Sequence, residues 1–504
     1  MTDGWSVADR FVMHARLRPD APALVWHRGE ISYGELHDMA ERASVQLEWL
    51  APGQHTEPVG VLAHKSPAAV ALVLACLLAR RPFLLPSPAL DRQSLAKLFA
   101  QAGCRHVLVP DEETGAAPVD EVPLSRGPAE AVGADVSFML TTSGSTGLPK
   151  IVPLARDAVD RFVDWAGAAF DIRPGRTVLN FAPLNFDLCL LDVWTTLARG
   201  GRVVLVDPEY AADGRHLLGL LRSHEVHVVQ AVPMFFGLLL EALSSSPEGP
   251  GAEFGAVEHV MFTGDVIPDR VLAKLPGLFP GARLYNIYGC TETNDSFIHE
   301  VDTTAPLGPL PIGEPLPGVS SFVVDEDGRL VEGAGTGELH VSTPFQTAGY
   351  LDRSRHTDKF APHPLGLDDR PYFRTGDLVR REDDGRMLLV GRSDFQVKVR
   401  GVAINTAEVE HILLEHPDVL EAAVVTVPDP VTGRRLLCAV QRAPSSGLNS
   451  LALREHCVRR LPKAAIPSVM RIAEDPLPKT STGKVDRNAA NHLHESPQPE
   501  RRVS

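Results

Sequence analysis

Between about residue 20 and residue 390, short β-rich apolar runs alternate with longer helical patterns. Residues 107–110, 203–206 and 227–230 are runs of the first kind, and 213–224 carries helical spacing. Strands separated by helices predict parallel sheets covered by helices. Glycine and proline thicken between Thr304 and Gly318. From Ser321 the pattern turns to alternating strands with turns at 325–328 and 383–385, which predicts a β-rich subdomain. A further unit begins near Gly391, with strands over 396–399 and 420–427 and a helix over 406–415 that puts Val409, Ile412 and Leu413 on one face. The expectation is an α/β chain: a large core over 1–390, a junction at 391–396, a small α+β domain over 397–490 and a polar, proline-containing tail over 491–504 read as disordered.

With 504 residues and an apolar fraction of 44%, the chain is long enough for two or three domains and a large core. Its net charge of -15 argues against nucleic acid as the main partner. The longest apolar run, 68–79, ends in Arg80 and Arg81 and falls short of the roughly 20 residues a bilayer crossing needs, so it reads as a buried core helix and no membrane role is expected. The N-terminus lacks the continuous apolar centre of a signal peptide. Six cysteines lie far apart, without the paired spacing of a zinc site or the density of a disulfide scaffold, which fits a reducing cytoplasm.

Residues 139–150 pack five hydroxyls and two glycines ahead of one lysine. Gly144 and Gly147 can turn successive N–H groups toward one anion, Thr141, Thr142, Ser143, Ser145 and Thr146 add donors, and Lys150 adds positive charge. A phosphate cradle and a plain turn both fit this stretch, which is not a Walker loop because no Gly-Lys-Ser/Thr ends it. Asp187 begins a mostly apolar, helix-like stretch through Leu197; it reads as a helix cap or as a carboxylate awaiting a cation. Residues 284–296 place Asn286 to read an adenine edge, Tyr288 to lie against the ring, Thr291 to bond a phosphate and Glu292 to hold Mg²⁺, the alternative being a solvated loop. Asp377 after a tight turn suits the hydroxyls of a ribose, with Arg392 as a nearby cation. Lys484, after a Ser-Thr-Gly stretch, suits a mobile charge clamp, although such lysines are commonly surface groups.

Taken in order, these residues resemble the acyl-adenylate-forming superfamily, which includes the adenylation domains of nonribosomal peptide synthetases, acyl-CoA synthetases and luciferases. The matching pieces run from 140–150 through 185–200, 262–265, 286–292, 337–338 with 349–350, 374–377 and 391–401 to 478–487. The resemblance implies a large adenylate-forming core with a small mobile C-terminal domain, ATP and Mg²⁺ as cofactors, Glu292 as the metal ligand and Lys484 as the lysine bridging carboxylate and phosphate. It places Asp394 at the hinge, with Lys398 and Gly401 facing a second, thiol-dependent step.

By the same resemblance, Asp187 pairs with a substrate ammonium, and the pocket around the side chain comprises Leu188, Leu191, Met261, Thr263, Ile287, Asp295 and Ser296. Spacing near Met261 and Thr263 differs from the family pattern. Asp295 is the odd member: it suits a diamino acid, a β-amino group, or an acid that faces outward. Cys290 replaces a usual proline, Asp265 a usual glutamate, and 78–86 copies its family segment poorly. With no carrier serine motif after Lys484 and no condensation domain before the core, the expectation is a freestanding ligase that loads an amino acid onto a separate phosphopantetheine carrier protein. A carboxylate–CoA ligase and a nucleotide-binding regulator without catalysis stand as the rivals.

Overall fold

The computed structural model describes residues 5–27, 29–50, 57–111, 114–118, 132–142, 148–245, 253–304, 308–355, 359–393, 396–399, 402–429, 433–461, 463–480 and 484–492. The chain divides into two compact units, one of Met1–Ser321 with His340–Arg374 and one of Phe322–Leu339 with Thr375–Ser504.

Two sheets form the first unit. The larger has nine strands in the order Glu314–Pro315, Asn294–Glu300, Arg283–Cys290, His259–Thr263, Val228–Ala231, Thr177–Asn180, Arg202–Leu205, Pro22–Trp26 and Gly29–Ser32. The six strands from Arg283–Cys290 to Pro22–Trp26 pair parallel, with two antiparallel strands beyond them at one edge and one at the other. The six-stranded sheet likewise has a parallel centre, Val107–Asp111, Val59–Val61, Phe83–Leu84 and Val136–Thr142, with antiparallel edges. The alternation of apolar runs and helical patterns thus yields the expected α/β architecture.

Helix starts follow local chemistry. Asp213 caps Gly214–Ser223 by accepting from the Arg215 and His216 amides, and Ser66 followed by Pro67 starts the fully apolar helix Pro67–Leu78. That helix is buried over most of its length, which is why its sequence shows no polar face. The segment after Asp187 departs from an ordinary helix: Leu190–Thr195 is a π-helix, followed by one α-turn at Thr196–Ala198. Thr195 Oγ1 donates to the Leu190 carbonyl (2.7 Å), and Thr196 Oγ1 to that of Leu191 (3.4 Å), easing the wider turn.

The strand Tyr372–Arg381 runs into the second unit, where it pairs antiparallel with Met387–Arg392. Beyond Arg392 come the hairpin Gln396–Val399 with Val402–Asn405, and a sheet in which Gly433–Arg442 lies antiparallel to Val419–Asp429 and parallel to Val469–Ala473. Helices Thr406–Leu414 and Ser450–Val458 contribute Val409, Leu413, Leu453 and Cys457 to its core. Arg487 Nε donates to Glu410 Oε1 (2.7 Å), tying the last helix, Arg487–His492, to Thr406–Leu414. That helix reaches into the segment expected as a tail; residues 493–504 lie outside the described residues. Among the described residues no helix is long and apolar enough to cross a membrane.

Tyr33 shows how the first unit joins distant segments. Its hydroxyl, in a residue 1% exposed, is shared between the carbonyls of Gly201 (2.7 Å) and Leu197 (3.2 Å). Tyr33→Phe leaves both buried acceptors without this donor and should cost roughly 1–3 kcal/mol, read as a lower urea midpoint; an unchanged midpoint would contradict the assignment.

Candidate active site

Ligands of open parallel sheets gather at the carboxyl ends of the strands. In the nine-stranded sheet those ends bring together Asn180, Gln230, Thr263 and the stretch from Asn286 onward: Asn180 pairs with Gln230, Gln230 with Met261, and Thr263 with Ile287. Met261, Thr263, Ile287 and Leu191 are buried, and Leu188 is half-buried. Five of the expected pocket residues therefore lie on neighbouring strands or on the segment that crosses their ends.

Asp187 is half-buried and its Oδ1 accepts the Leu188 amide at 3.0 Å, a contact with the next residue rather than a cap of the π-helix. Asp295 comes from the neighbouring hairpin, opposite Gly289, where the pairing of Arg283–Cys290 with Asn294–Glu300 shifts register after Tyr288. Asn294 holds φ of 54°, and a Cβ on Gly289 would run into the Asn294 carbonyl, so the bend is specified from both strands. Ser296 is fully buried and shares its hydroxyl with Thr293 (3.0 Å). It packs into the hairpin as a structural hydroxyl.

Burial and the field of Asp187 push the Asp295 carboxyl up to about 7. Among the described residues no cation or hydrogen-bond donor is paired with it, and Asp192 feels its charge as well. Burial and neighbouring acids thus favour the protonated form of Asp295.

A second cluster joins residues expected to act on phosphate. The Tyr350 hydroxyl donates to Glu292 Oε1 (2.6 Å), and Lys150 Nζ lies 3.5 Å from the same hydroxyl and 4.7 Å from the ring centre. Tyr350 is fixed because the next residue, Leu351, donates its amide to Ile151 on the strand that begins with Lys150. The Thr347 amide bonds the Glu292 carbonyl (2.9 Å). Lys150 pairs in register with Thr142 across the antiparallel strands. Ser143, Gly144, Ser145, Thr146 and Gly147 lie outside the described residues, as does Asp394. Thr291 is half-buried beside Glu292. Asn286 Nδ2 donates to the Pro311 carbonyl (2.8 Å), and half-buried Tyr288 packs edge-on to Phe297.

In the second unit, Arg392 Nη1 donates to Asp377 Oδ1 (2.9 Å) and to the Thr375 carbonyl (3.3 Å). Gly376 between them has φ of 77°, and its N–H donates to Glu338 (3.1 Å). A left-handed residue is needed there, and a Cβ would press on the guanidinium. Lys484 is exposed, and its carbonyl accepts from the Thr480 amide (2.8 Å).

The description "AMP-binding enzyme" fits residues 11–351, and "AMP-binding enzyme C-terminal domain" fits 408–484. The chain belongs to the AMP-binding enzyme family. An L-proline–[L-prolyl-carrier protein] ligase of Streptomyces coelicolor is 35% identical over 357 residues, 70% of this chain and 65% of that protein. A D-alanine–D-alanyl carrier protein ligase of Bacillus licheniformis is 27% identical over 498 residues, 94% of this chain and 96% of that one. Surfactin synthase subunit 1 of Bacillus subtilis is 28% identical over 504 residues, 96% of this chain, which spans 14% of the synthase. Klebsiella oxytoca NpsA in complex with 3-hydroxyanthranilyl-AMSN superposes with a TM-score of 0.78 at 23% identity, covering 97% of this chain and 99% of that one. A four-domain nonribosomal peptide synthetase bound to AMP and glycine gives 0.80 at 24%, covering 99% of this chain and 37% of that one. These likenesses establish the fold.

Within this AMP-binding chain, the expected residues gather in two groups, one around Asp187 and Asp295 and one around Glu292 and Lys150. Tyr350 joins the latter as a residue whose only sequence signal is its place beside Gly349. Lys65, Asn180, Asp192 and Gln230 were not expected at all, because buried polar residues inside apolar runs show no pattern.

The raised Asp295 carboxyl has a direct consequence for stability. Its folded value of about 7 exceeds the ordinary 3.8, so the folded state binds a proton that the unfolded state has released. Its contribution is complete below about 3.8 and is lost as pH rises toward 7. Asp295→Asn should therefore raise the melting temperature of the ligand-free protein above that of the parent at pH 8, with the gap closing as pH falls toward 4. A gap independent of pH would contradict the buried titration.

Proposed function

We propose that the chain is a ligase that activates an amino acid as its aminoacyl-adenylate and passes it to the phosphopantetheine thiol of a separate carrier protein. The observation that carries the reading is the nearness of two carboxylates, with the Asp295 carboxyl feeling the charge of Asp187, beside the buried Leu191, Met261 and Ile287. A substrate ammonium adds a positive charge beside Asp187 and Asp295, which an uncharged analogue does not. Asp295 extends the reading to a cation lying between the two acids, as in a β-amino acid or a diamino acid. The carrier-protein ligases among the relatives support the same class of acceptor.

In the first half-reaction an oxygen of the substrate carboxylate bonds the α-phosphorus of ATP as the bond to pyrophosphate breaks. In the second, the thiol sulfur bonds the acyl carbon and AMP leaves with the electron pair of the mixed anhydride. Both anions of the first step need positive charge. Thr142, Ser143, Gly144, Ser145, Thr146, Gly147 and Lys150 hold the phosphates, and Thr291 adds a hydroxyl. Asn286 and Tyr288 take the adenine, and Asp377 the ribose, with Arg392 orienting Asp377. Glu292 suits a hard cation such as Mg²⁺, since one oxygen is steadied by Tyr350 and the other accepts no hydrogen bond from the described residues. Bound there, Mg²⁺ would neutralise phosphate charge. Lys484 bridges carboxylate and phosphate, and the 391–396 hinge with Asp394 lets the 397–490 domain withdraw it before thiol attack.

ATP–pyrophosphate exchange over amino, β-amino, diamino, aryl and fatty acids tests the reading. Exchange confined to amino acids is expected, and a response to aryl or fatty acids alone, with CoA as acceptor, would overturn it. Lys484→Ala should lower exchange at least about 100-fold without changing the melting temperature. Asp187→Ala should abolish amino-acid-dependent exchange while ATP binding persists; retained amino-acid selectivity in that variant would contradict the ammonium pairing.

A further inference from the structure

Beneath the acyl pocket lies a polar network that the adenylation chemistry does not use. Lys65, 5% exposed, points its ammonium at four acceptors: the Asn180 carbonyl (3.1 Å) and side-chain oxygen (3.0 Å), and the carbonyls of Phe181 and Ala182 (both 3.0 Å). An ammonium has three protons, so this one is fully committed and cannot serve a ligand. Asn180 Nδ2 donates to Asp192 Oδ2 (3.1 Å). Gln230 Nε2 donates to Asp192 Oδ1 (3.1 Å) and to the Leu188 carbonyl (3.1 Å). Asn180, Asp192 and Gln230 are each 0–1% exposed.

The network is directional. With its oxygen turned to Lys65 and its nitrogen to Asp192, the Asn180 amide admits one orientation, since the reverse sets a donor against the ammonium. Gln230 spends both amide protons, one on Asp192 and one on Leu188, so the carboxylate fixes the amide that in turn holds the backbone next to Asp187. Asp192 also stands inside the π-helix, a turn type that recurs at functional sites. Burial pushes Asp192 up and Lys65 down to about 8; their mutual attraction opposes both shifts, and the amide hydrogen bonds oppose that of Asp192. Apolar replacements would spare this desolvation, so stability alone gives little reason for such a cluster.

We propose that Asp192 is a positioning residue for amino-acid binding: through Gln230 it fixes the Leu188 carbonyl and thereby the aim of Asp187, with Asn180 and Lys65 holding Asp192 in place. The role rests on the reading of Asp187 as the ammonium partner. It calls for a carboxylate at position 192 whose two oxygens accept from different amides, which an amide cannot replace because its nitrogen would face a donor.

The test is a set of variants assayed by ATP–pyrophosphate exchange. Asp192→Asn should raise KM for the amino acid roughly tenfold or more, leaving KM for ATP near the parent value. The exchanged pair Asn180→Asp with Asp192→Asn re-creates the matches along the network, giving up only the weak Asn180 Nδ2 contact with Cys189 Sγ (3.4 Å): Lys65 meets the carboxylate at 180, that carboxylate accepts from the amide at 192, and the amide oxygen accepts from Gln230. It should recover most of the lost affinity, which a variant damaged only in stability would not. Gln230→Met frees the Leu188 carbonyl while keeping the Lys65, Asn180 and Asp192 links, and reads the same KM should Asp192→Asn fail to fold. A parent enzyme that ignores every amino acid overturns the underlying reading and this role with it. Amino-acid exchange by the parent, with the amino-acid KM unmoved in the folded variants or moving together with that of ATP, overturns the positioning role alone.

Discussion

One buried ammonium organises the ground on which the acyl pocket stands. Lys65 satisfies three consecutive carbonyls, those of Asn180, Phe181 and Ala182, just where the strand Thr177–Asn180 ends. The Asn180 carbonyl also accepts the Val206 amide and that of Ala182 the Cys189 thiol, so Lys65 is most needed by the Phe181 carbonyl. Through Asn180 that ammonium is linked to Asp192 in the π-helix and so to Gln230.

The electrostatics of the two sides of the first unit are opposite in design. On the phosphate side, Lys150, Tyr350 and Glu292 form a connected set in which one phenol hydroxyl relates a cation to a carboxylate. On the acyl side, Asp295 is left without a partner among the described residues, next to a second acid, in surroundings that favour its neutral form. On the proposed reading, such surroundings disfavour a plain fatty or aryl acid and are completed by a substrate that carries its own cation. The apolar walls from Met261, Leu191 and Ile287 then supply contact area for the rest of the molecule.

Much of this was legible in the sequence. The parallel sheets were readable from apolar runs separated by helical spacing, and the apolar run at 68–79 became the buried helix Pro67–Leu78 as its uniform hydropathy required. Asp187, Glu292 and Lys150 stood out locally, as charges beside an apolar run or a hydroxyl- and glycine-rich stretch, whereas Asp295 was placed in the pocket by the family resemblance alone. Lys65, Asp192 and Gln230 carried none: each sits among residues that a strand or helix explains, and their meaning arises only when strands 115 or more residues away in sequence close over Lys65. The π-helix was equally hidden, because its hydrophobic positions over Leu190–Thr195 fit an α-turn as well as a π-turn. The Tyr350 link between Lys150 and Glu292 likewise depends on a contact across 200 residues.

Calorimetric titration of the amino acid and its des-amino isostere near pH 7, in two buffers of different ionisation enthalpy, tests whether Asp187 and Asp295 form an anionic site completed by a cationic substrate. A substrate cation placed beside Asp295 should expel the proton held there, so the account predicts proton release on binding the amino acid and far weaker binding of the isostere. Equal affinity for the two ligands, with no proton exchanged, would contradict it.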